Sequence, residues 1–178
     1  GALDQHGGQL EADLVALWES VLDVRPIGTR DDFFELGGHS MLAARLFDRI
    51  ESRTGRRLPL ATLLAAPTVE GLAALLGQEG WSPSWSSLVA IRAEGSKPPF
   101  FCVHAIGGNV LNYRKLSLHL GPDQPLYGLQ ARGLDGRPAP AATVEQMAAS
   151  YVHEIRSVQP RGPYRLGGAS SGGVVAFE

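Results

Sequence analysis

The sequence predicts a multidomain chain: an all-α unit of four helices, then an α/β unit whose sheet is mostly parallel. Three observations carry this. From about residue 8 to 77 the apolar residues recur at helical spacing only. From residue 88 onward, short apolar runs alternate with amphipathic helical stretches, the grammar of strands and crossover helices. Between them Gln78 to Ser87 breaks both patterns and is rich in Ser, Gly and Pro, the composition of a linker. The expected domains are therefore 8–77 and 88–178, joined by a linker over 78–87.

In the first unit Leu10, Leu14, Leu17, Trp18 and Val21 lay an apolar stripe along a helix from about Gln9 to Leu22. Pro26 and Gly28 end it and open a long loop. Ile27, Phe33, Phe34 and Leu36 are apolar enough to tie that loop down by core packing. A second helix is predicted from Ser40 to about Arg53, with Leu42, Leu46 and Ile50 facing the core. Arg45, Arg49 and Arg53 repeat along another face, either as a solvated row or as a docking surface. Leu58, Leu60, Leu63 and Leu64 suggest a short third helix stopped by Pro67. Thr68 then reads as the N-cap of a fourth, terminated by Gly77. Such a unit of about 70 residues has only a modest core. It can display a residue but encloses no catalytic pocket.

The residue displayed is Ser40. Asp31-Asp32-Phe33-Phe34-Glu35-Leu36-Gly37-Gly38-His39-Ser40 is an acidic, aromatic run that closes on two glycines and delivers a hydroxyl at a helix start. There the free backbone N–H groups and the helix dipole favour a phosphate. Taken alone, a serine before a helix is far more often an N-cap than a modification site. The ten residues together resemble the core motif of peptidyl carrier proteins from nonribosomal peptide synthetases, D-x-F-F-x-L-G-G-H-S, with Asp32 in the free position. The resemblance implies that Ser40 is esterified by 4′-phosphopantetheine, with Gly38 and His39 beside the attachment point, and that the cofactor's thiol carries the peptide as a thioester.

In the second unit Leu88 to Ile91 and Phe100 to Val103 are predicted strands, and Leu111, Leu116, Leu118 and Leu120 are placed on a helix. A strand at Leu126 to Leu129 follows Pro122 and Pro125. Gly133 to Pro140 is a Gly/Pro loop, and Val144, Met147, Ala148, Tyr151, Val152 and Ile155 mark a long amphipathic helix. A last strand at Tyr164 to Leu166 runs into Gly168-Ala169-Ser170-Ser171-Gly172. That is G-x-S-x-G between a strand and a helix, the arrangement of a nucleophile elbow, where small residues allow a turn too tight for a Cβ. His104-Ala105-Ile106-Gly107-Gly108, directly after a strand, is the expected second piece. By the logic of α/β-hydrolases the backbone N–H groups of Ala105 and Ser171 form the oxyanion hole for an acyl group attacked by Ser170.

The pieces around Phe100 to His104, Tyr127 to Gln130 and Tyr164 to Gly173 resemble the N-terminal part of the type I thioesterase domain that closes nonribosomal peptide synthetases. One departure is Ala169, where those domains often carry a bulky aromatic. A second concerns the partners of Ser170. In α/β-hydrolases the base and acid follow the nucleophile, whereas all five histidines here precede Ser170 and Glu178 lies too close to serve as the acid. The base and acid are expected beyond residue 178. His104 is then a loop-orienting histidine, and His119 and His153 are surface residues.

The function implied is nonribosomal peptide biosynthesis: a thioester on Ser40 is passed to Ser170 and released by hydrolysis or macrocyclisation. The alternative is a carrier module attached to a catalytically incomplete hydrolase segment. Expected partners are a phosphopantetheinyl transferase, upstream condensation and adenylation domains, and the peptidyl thioester. A net charge of −2 gives no general affinity for nucleic acid or anionic membranes, and no segment approaches the roughly 20 apolar residues of a membrane span. The single cysteine, Cys102, excludes an internal disulfide and a cysteine-rich metal site. A reducing, cytoplasmic setting is the default expectation.

Overall fold

A computed structural model describes residues 2–78, 80–82, 85–134, 141 and 143–178, with side chains from residue 8 on. The chain divides into two compact units, residues 1–84 and 85–178.

The first unit contains α1 (Ala2–Leu22), α2 (Ser40–Thr54), α3 (Thr62–Ala65) and α4 (Val69–Gly77). α1 begins well before the expected Gln9, and it packs against both α2 and α4. Its buried face is Leu14, Leu17 and Trp18, a narrower stripe than the spacing predicted. α3 is a single turn, and Leu58 and Leu60 lie ahead of it. α4 is capped as expected, with the Thr68 hydroxyl accepting from the Gly71 N–H at 3.1 Å. Gly77 is its last helical residue rather than its terminator.

The long α1–α2 loop is held by Phe33. Its ring is fully buried and meets Trp18 edge-on, with centroids 5.2 Å apart. Burial of one such ring contributes about 1.5–3 kcal/mol. Its N–H donates to the Pro67 carbonyl at 2.8 Å, and the Glu70 N–H donates to Thr29 at 2.9 Å, so the loop is also stitched to the start of α4. The Arg30–Glu70 ion pair spans the same gap, but its side chains are 85% and 49% exposed. Such pairs contribute about 0–1 kcal/mol. The ring, not the charge pair, fixes the loop. Gly38 then lies flat against it: a Cβ there would stand 2.3 Å from two Phe33 ring carbons and 2.4 Å from the Phe33 carbonyl oxygen.

The second unit contains β1 (Leu88–Arg92), β2 (Phe100–Val103), α5 (Tyr113–Leu120), β3 (Leu126–Leu129), α6 (Val144–Val158), β4 (Arg165–Gly168) and α7 (Ser171–Phe177). The strands form one sheet in the order β1-β3-β2-β4. β2 is parallel to both neighbours, pairing Phe101 with Tyr127 and with Leu166. β1 is antiparallel to β3, so the sheet, expected to be mostly parallel, is mixed. The seven residues between β1 and β2 are too few for a helical crossover, which needs about a dozen.

The step from β2 to β3 and the step from β3 back past β2 to β4 run in opposite directions, so right-handed crossovers put their helices on opposite faces. Phe101, Val103 and Leu129 pack with Tyr151 and Ile155 of α6 and Val175 of α7. On the other face Gly128 receives Val110 so closely that a Cβ would lie 2.7 Å from it. α5 carries Leu116, Leu118 and Leu120 as expected, but Ser117 is its buried residue, while Leu118 is 57% exposed. Leu111, expected on this helix, is buried ahead of it.

Ser86 and Ser87, at the end of the linker, are fixed to the exit of β3. The Gln130 N–H donates to the Ser87 carbonyl at 2.8 Å, and its Nε2 donates to the Ser86 carbonyl at 2.7 Å. Trp81 and Trp85 are both half-buried; Trp85 lines a cleft of about 380 Å³ with Arg132, His153 and Glu154. Glu79, Pro83 and Ser84 of the linker, and residues 135–140 of the Gly/Pro loop, lie outside the described residues. Among the described residues no helix is long and apolar enough to cross a membrane.

Two outcomes follow from this packing. Gly38→Ala should destabilise the first unit by about 3 kcal/mol, because either the Phe33 ring or its backbone must shift; urea unfolding with unchanged midpoint would contradict the contact. Burial pushes the Cys102 thiol up to about 11, so iodoacetamide at about pH 8 should leave the native chain unmodified and alkylate it only after unfolding.

Candidate functional site

Two serines stand at helix starts, one in each unit. In the first unit Asp31 and Asp32 shape the approach. The Asp31 carboxylate accepts from the Gly28 N–H at 2.8 Å. The Asp32 Oδ1 accepts from the N–H groups of Phe34 at 2.8 Å and Glu35 at 3.2 Å, a turn nucleated by a side chain. Asp32 occupies the free position of the motif, and the sequence carried no sign of this task. Gly37 has φ +92° with open space where a Cβ would be, so it serves backbone conformation; Gly38 serves space.

The N-cap of α2 is His39, with extended backbone and no side-chain cap bond. Ser40 is therefore the first helical residue, not the cap. The His39 carbonyl accepts from the Ala43 N–H at 2.8 Å, while the N–H groups of the first turn remain free of helical partners. Among the described residues the Ser40 hydroxyl makes no hydrogen bond. A half-exposed hydroxyl at the positive end of a 15-residue helix suits a phosphodiester, since the helix dipole and the unpaired amides both favour the anion. Of the arginine row, Arg49 donates to the Ser20 hydroxyl of α1 at 2.7 Å, and Arg45 and Arg53 are exposed.

In the second unit the loop after β2 leads to α5 on one face and the turn after β4 leads to α7 on the other. They diverge at the carboxyl ends of the neighbouring strands β2 and β4, the usual ligand position in such sheets. Ser170 sits in that turn with φ +54° and ψ −123°, a conformation that costs a non-glycine residue about 1–3 kcal/mol. Its surroundings enforce it. The Gly172 N–H donates to Ala169 at 3.0 Å and the Gly173 N–H to Ser170 at 3.0 Å. A Cβ at Gly168 would lie 2.3 Å from the Gly172 carbonyl, and one at Gly172 would lie 2.4 Å from the carbonyl oxygens of both Val103 and His104.

This close approach brings Gly172, which follows Ser171, against the end of β2 and against His104, which precedes Ala105. Among the described residues neither the Ala105 nor the Ser171 amide donates a hydrogen bond. The loop carrying Ala105 is closed on itself: the Gly108 N–H donates to the Ala105 carbonyl at 2.9 Å, and the Ala131 N–H donates to Gly108 at 2.8 Å. His104 is buried. Its Nδ1 lies 2.6 Å from the Ala105 carbonyl, which can only accept, so Nδ1 carries the proton. Its Nε2 is buried without a partner among the described residues. The imidazole meets the Tyr151 ring edge-on at 6.2 Å, and burial pushes that phenol up to about 12. Ile106, in the same loop, is 92% exposed. His119 and His153 are exposed. No described cluster of His, Cys, Asp and Glu could hold a metal ion.

Comparison with known proteins places both units. A family model described as the phosphopantetheine attachment site matches residues 12–76, and one described as the thioesterase domain matches residues 98–178. Malpibaldin synthetase of Mortierella alpina is 45% identical over 171 residues, covering 95% of this chain and 3% of that protein. A dimodular nonribosomal peptide synthase of Bacillus subtilis is 45% identical, covering 93% of this chain and 7% of its own length. The chain thus spans a small fraction of these relatives. Among solved structures, a holo four-domain nonribosomal peptide synthetase bound to AMP and glycine matches 95% of this chain and 13% of its own, with 36% identity and a TM-score of 0.52. With two domain models and these relatives aligned along nearly its whole length, the chain belongs to the carrier–thioesterase family of nonribosomal peptide synthetases.

Proposed function

We propose that this segment carries a growing peptide on Ser40 and releases it through Ser170. The observation that carries the reading is the backbone of Ser170: a non-glycine residue held at φ +54° between β4 and α7, beside a loop whose Ala105 amide is free. Nothing about folding calls for that conformation, and an exposed nucleophile does.

The first half of the function rests on a covalent 4′-phosphopantetheine, which the match to the phosphopantetheine attachment-site model supports. When bound, that group supplies a flexible thiol on which an acyl chain is held as a thioester. The residues present fit it. Ser40 offers the hydroxyl, the first turn of α2 offers amides and dipole to the phosphate, and the Gly37–Gly38 bend keeps bulk away from the helix start. Gly38 and His39 form the approach to that hydroxyl. A phosphopantetheinyl transferase is the enzyme that modifies Ser40, and condensation and adenylation domains supply the peptide.

The second half is acyl transfer. The Ser170 Oγ attacks the thioester carbonyl, and the Ala105 and Ser171 amides stabilise the negative charge that develops on its oxygen. The acyl–sulfur bond then breaks, leaving the acyl group as an ester on Ser170 and the proton from its hydroxyl on the freed thiol. One donor of this kind contributes about 2.7–4 kcal/mol to the transition state. The complete cycle also requires an imidazole and a carboxylate, and no described residue is assigned either role. Water as acceptor gives a free acid; an internal amine or hydroxyl gives a macrocycle.

Incubation with coenzyme A and a phosphopantetheinyl transferase should raise the intact mass by one phosphopantetheinyl group, and Ser40→Ala should abolish the gain. A gain that survives Ser40→Ala would place the attachment elsewhere. In the intact synthetase Ser170→Ala should leave Ser40 loading unchanged and lower product release by at least about 10³-fold. Release at the parent rate would reduce the segment to a carrier.

A further inference from the structure

We infer that Tyr113 is a positioning residue for acyl transfer: its one phenolic oxygen ties the residue before the nucleophile to the strand end that leads into the oxyanion loop. The inference rests on the reading of Ser170 as the nucleophile.

The hydroxyl accepts from the Ala169 N–H at 3.0 Å and donates to the Val103 carbonyl. Ala169 immediately precedes Ser170. Val103 is the last residue of β2, two before Ala105. The spacing between attacking oxygen and oxyanion donor is a distance between two loops 65 residues apart in sequence, and it needs a fastener. The glycine contacts set how near the loops can come, because Gly172 lies against the Val103 and His104 carbonyls. A steric stop fixes closeness but not register along the groove. Directional hydrogen bonds fix register, and among the described residues Tyr113 is the side chain bonded to both segments.

The phenol is suited to the task. It starts α5, so its ring is anchored on a helix rather than a loop. It can donate and accept through a single atom, which neither an amide nor an ammonium does. Burial raises its pKa, with the Ala169 amide opposing, so the hydroxyl keeps the proton it gives to Val103. The Ala169 amide lies on an exposed residue and would otherwise turn to water, loosening the strained backbone at Ser170.

Tyr113→Phe keeps the ring and removes both bonds. In the intact synthetase it should lower kcat for product release by roughly 10- to 100-fold, the range expected for a misplacement of about 1 Å. KM should stay within about twofold. Turnover is expressed per Ser170 titrated by an active-serine phosphonate, so loss of folded protein does not register. A boronic acid that adds to Ser170 and mimics the tetrahedral oxyanion should bind more weakly by the same factor as the fall in kcat/KM. Parent turnover per titrated site, or a rise in KM alone, overturns the inference. If Ser170→Ala abolishes release while Tyr113→Phe matches the parent, only this inference fails; parent release in Ser170→Ala overturns the assignment of the nucleophile beneath it. A second measurement needs no variant: the Ala169 amide should exchange with deuterium far more slowly than an exposed turn amide. Exchange at the unprotected rate overturns the bond.

Discussion

Each unit depends on one steric constraint, a glycine where two pieces of backbone come closer than a Cβ permits. In the first unit Gly38 lies on the Phe33 ring and carbonyl; in the second Gly172 lies on the carbonyls of Val103 and His104, and Gly168 on the carbonyl of Gly172. Each of these glycines lies two residues from the serine presented at a helix start. A helix end presents free amides and a partial positive charge. The glycine allows that end to be brought against a rigid neighbour without burying it.

The two serines differ in what the constraint leaves them. Ser40 takes ordinary helical backbone and an unengaged hydroxyl, which suits a residue that is modified once and then carries. Ser170 is forced into a sparsely populated conformation and held there by turn hydrogen bonds, a steric stop and the Tyr113 phenol. Strain of that order persists only where the surroundings over-determine it. The α/β unit supplies them through topology: strand order β1-β3-β2-β4 sends the loops after β2 and β4 to opposite faces at neighbouring strand ends.

Much of this was legible in the residues themselves. Helical periodicity in the first unit and the change to short apolar runs at residue 88 follow from how side chains distribute on helices and strands. The D-x-F-F-x-L-G-G-H-S run and the G-x-S-x-G run could be found because their chemistry is packed into ten and five consecutive positions. Spacing leaves open what depends on a partner far away in sequence. Leu118 lies on α5 as expected, yet Ser117 is the residue that faces inward, because the inward face of α5 is set by what it packs against. α2 starts at Ser40 as expected, and which residue caps it is seen only in the folded backbone, where His39 takes that place.

Sequence alone therefore determined the two units, the serine each displays and the family to which both belong, since these are written in local spacing. Tertiary structure alone decided that β1 runs antiparallel, that Asp32 builds the turn before Ser40, and that the Tyr113 hydroxyl bonds both the end of β2 and Ala169, 56 positions away. A residue's identity and its neighbours in the chain specify what it can bond to. Which group stands opposite is settled only when the sheet order and the close glycine contacts bring distant segments together.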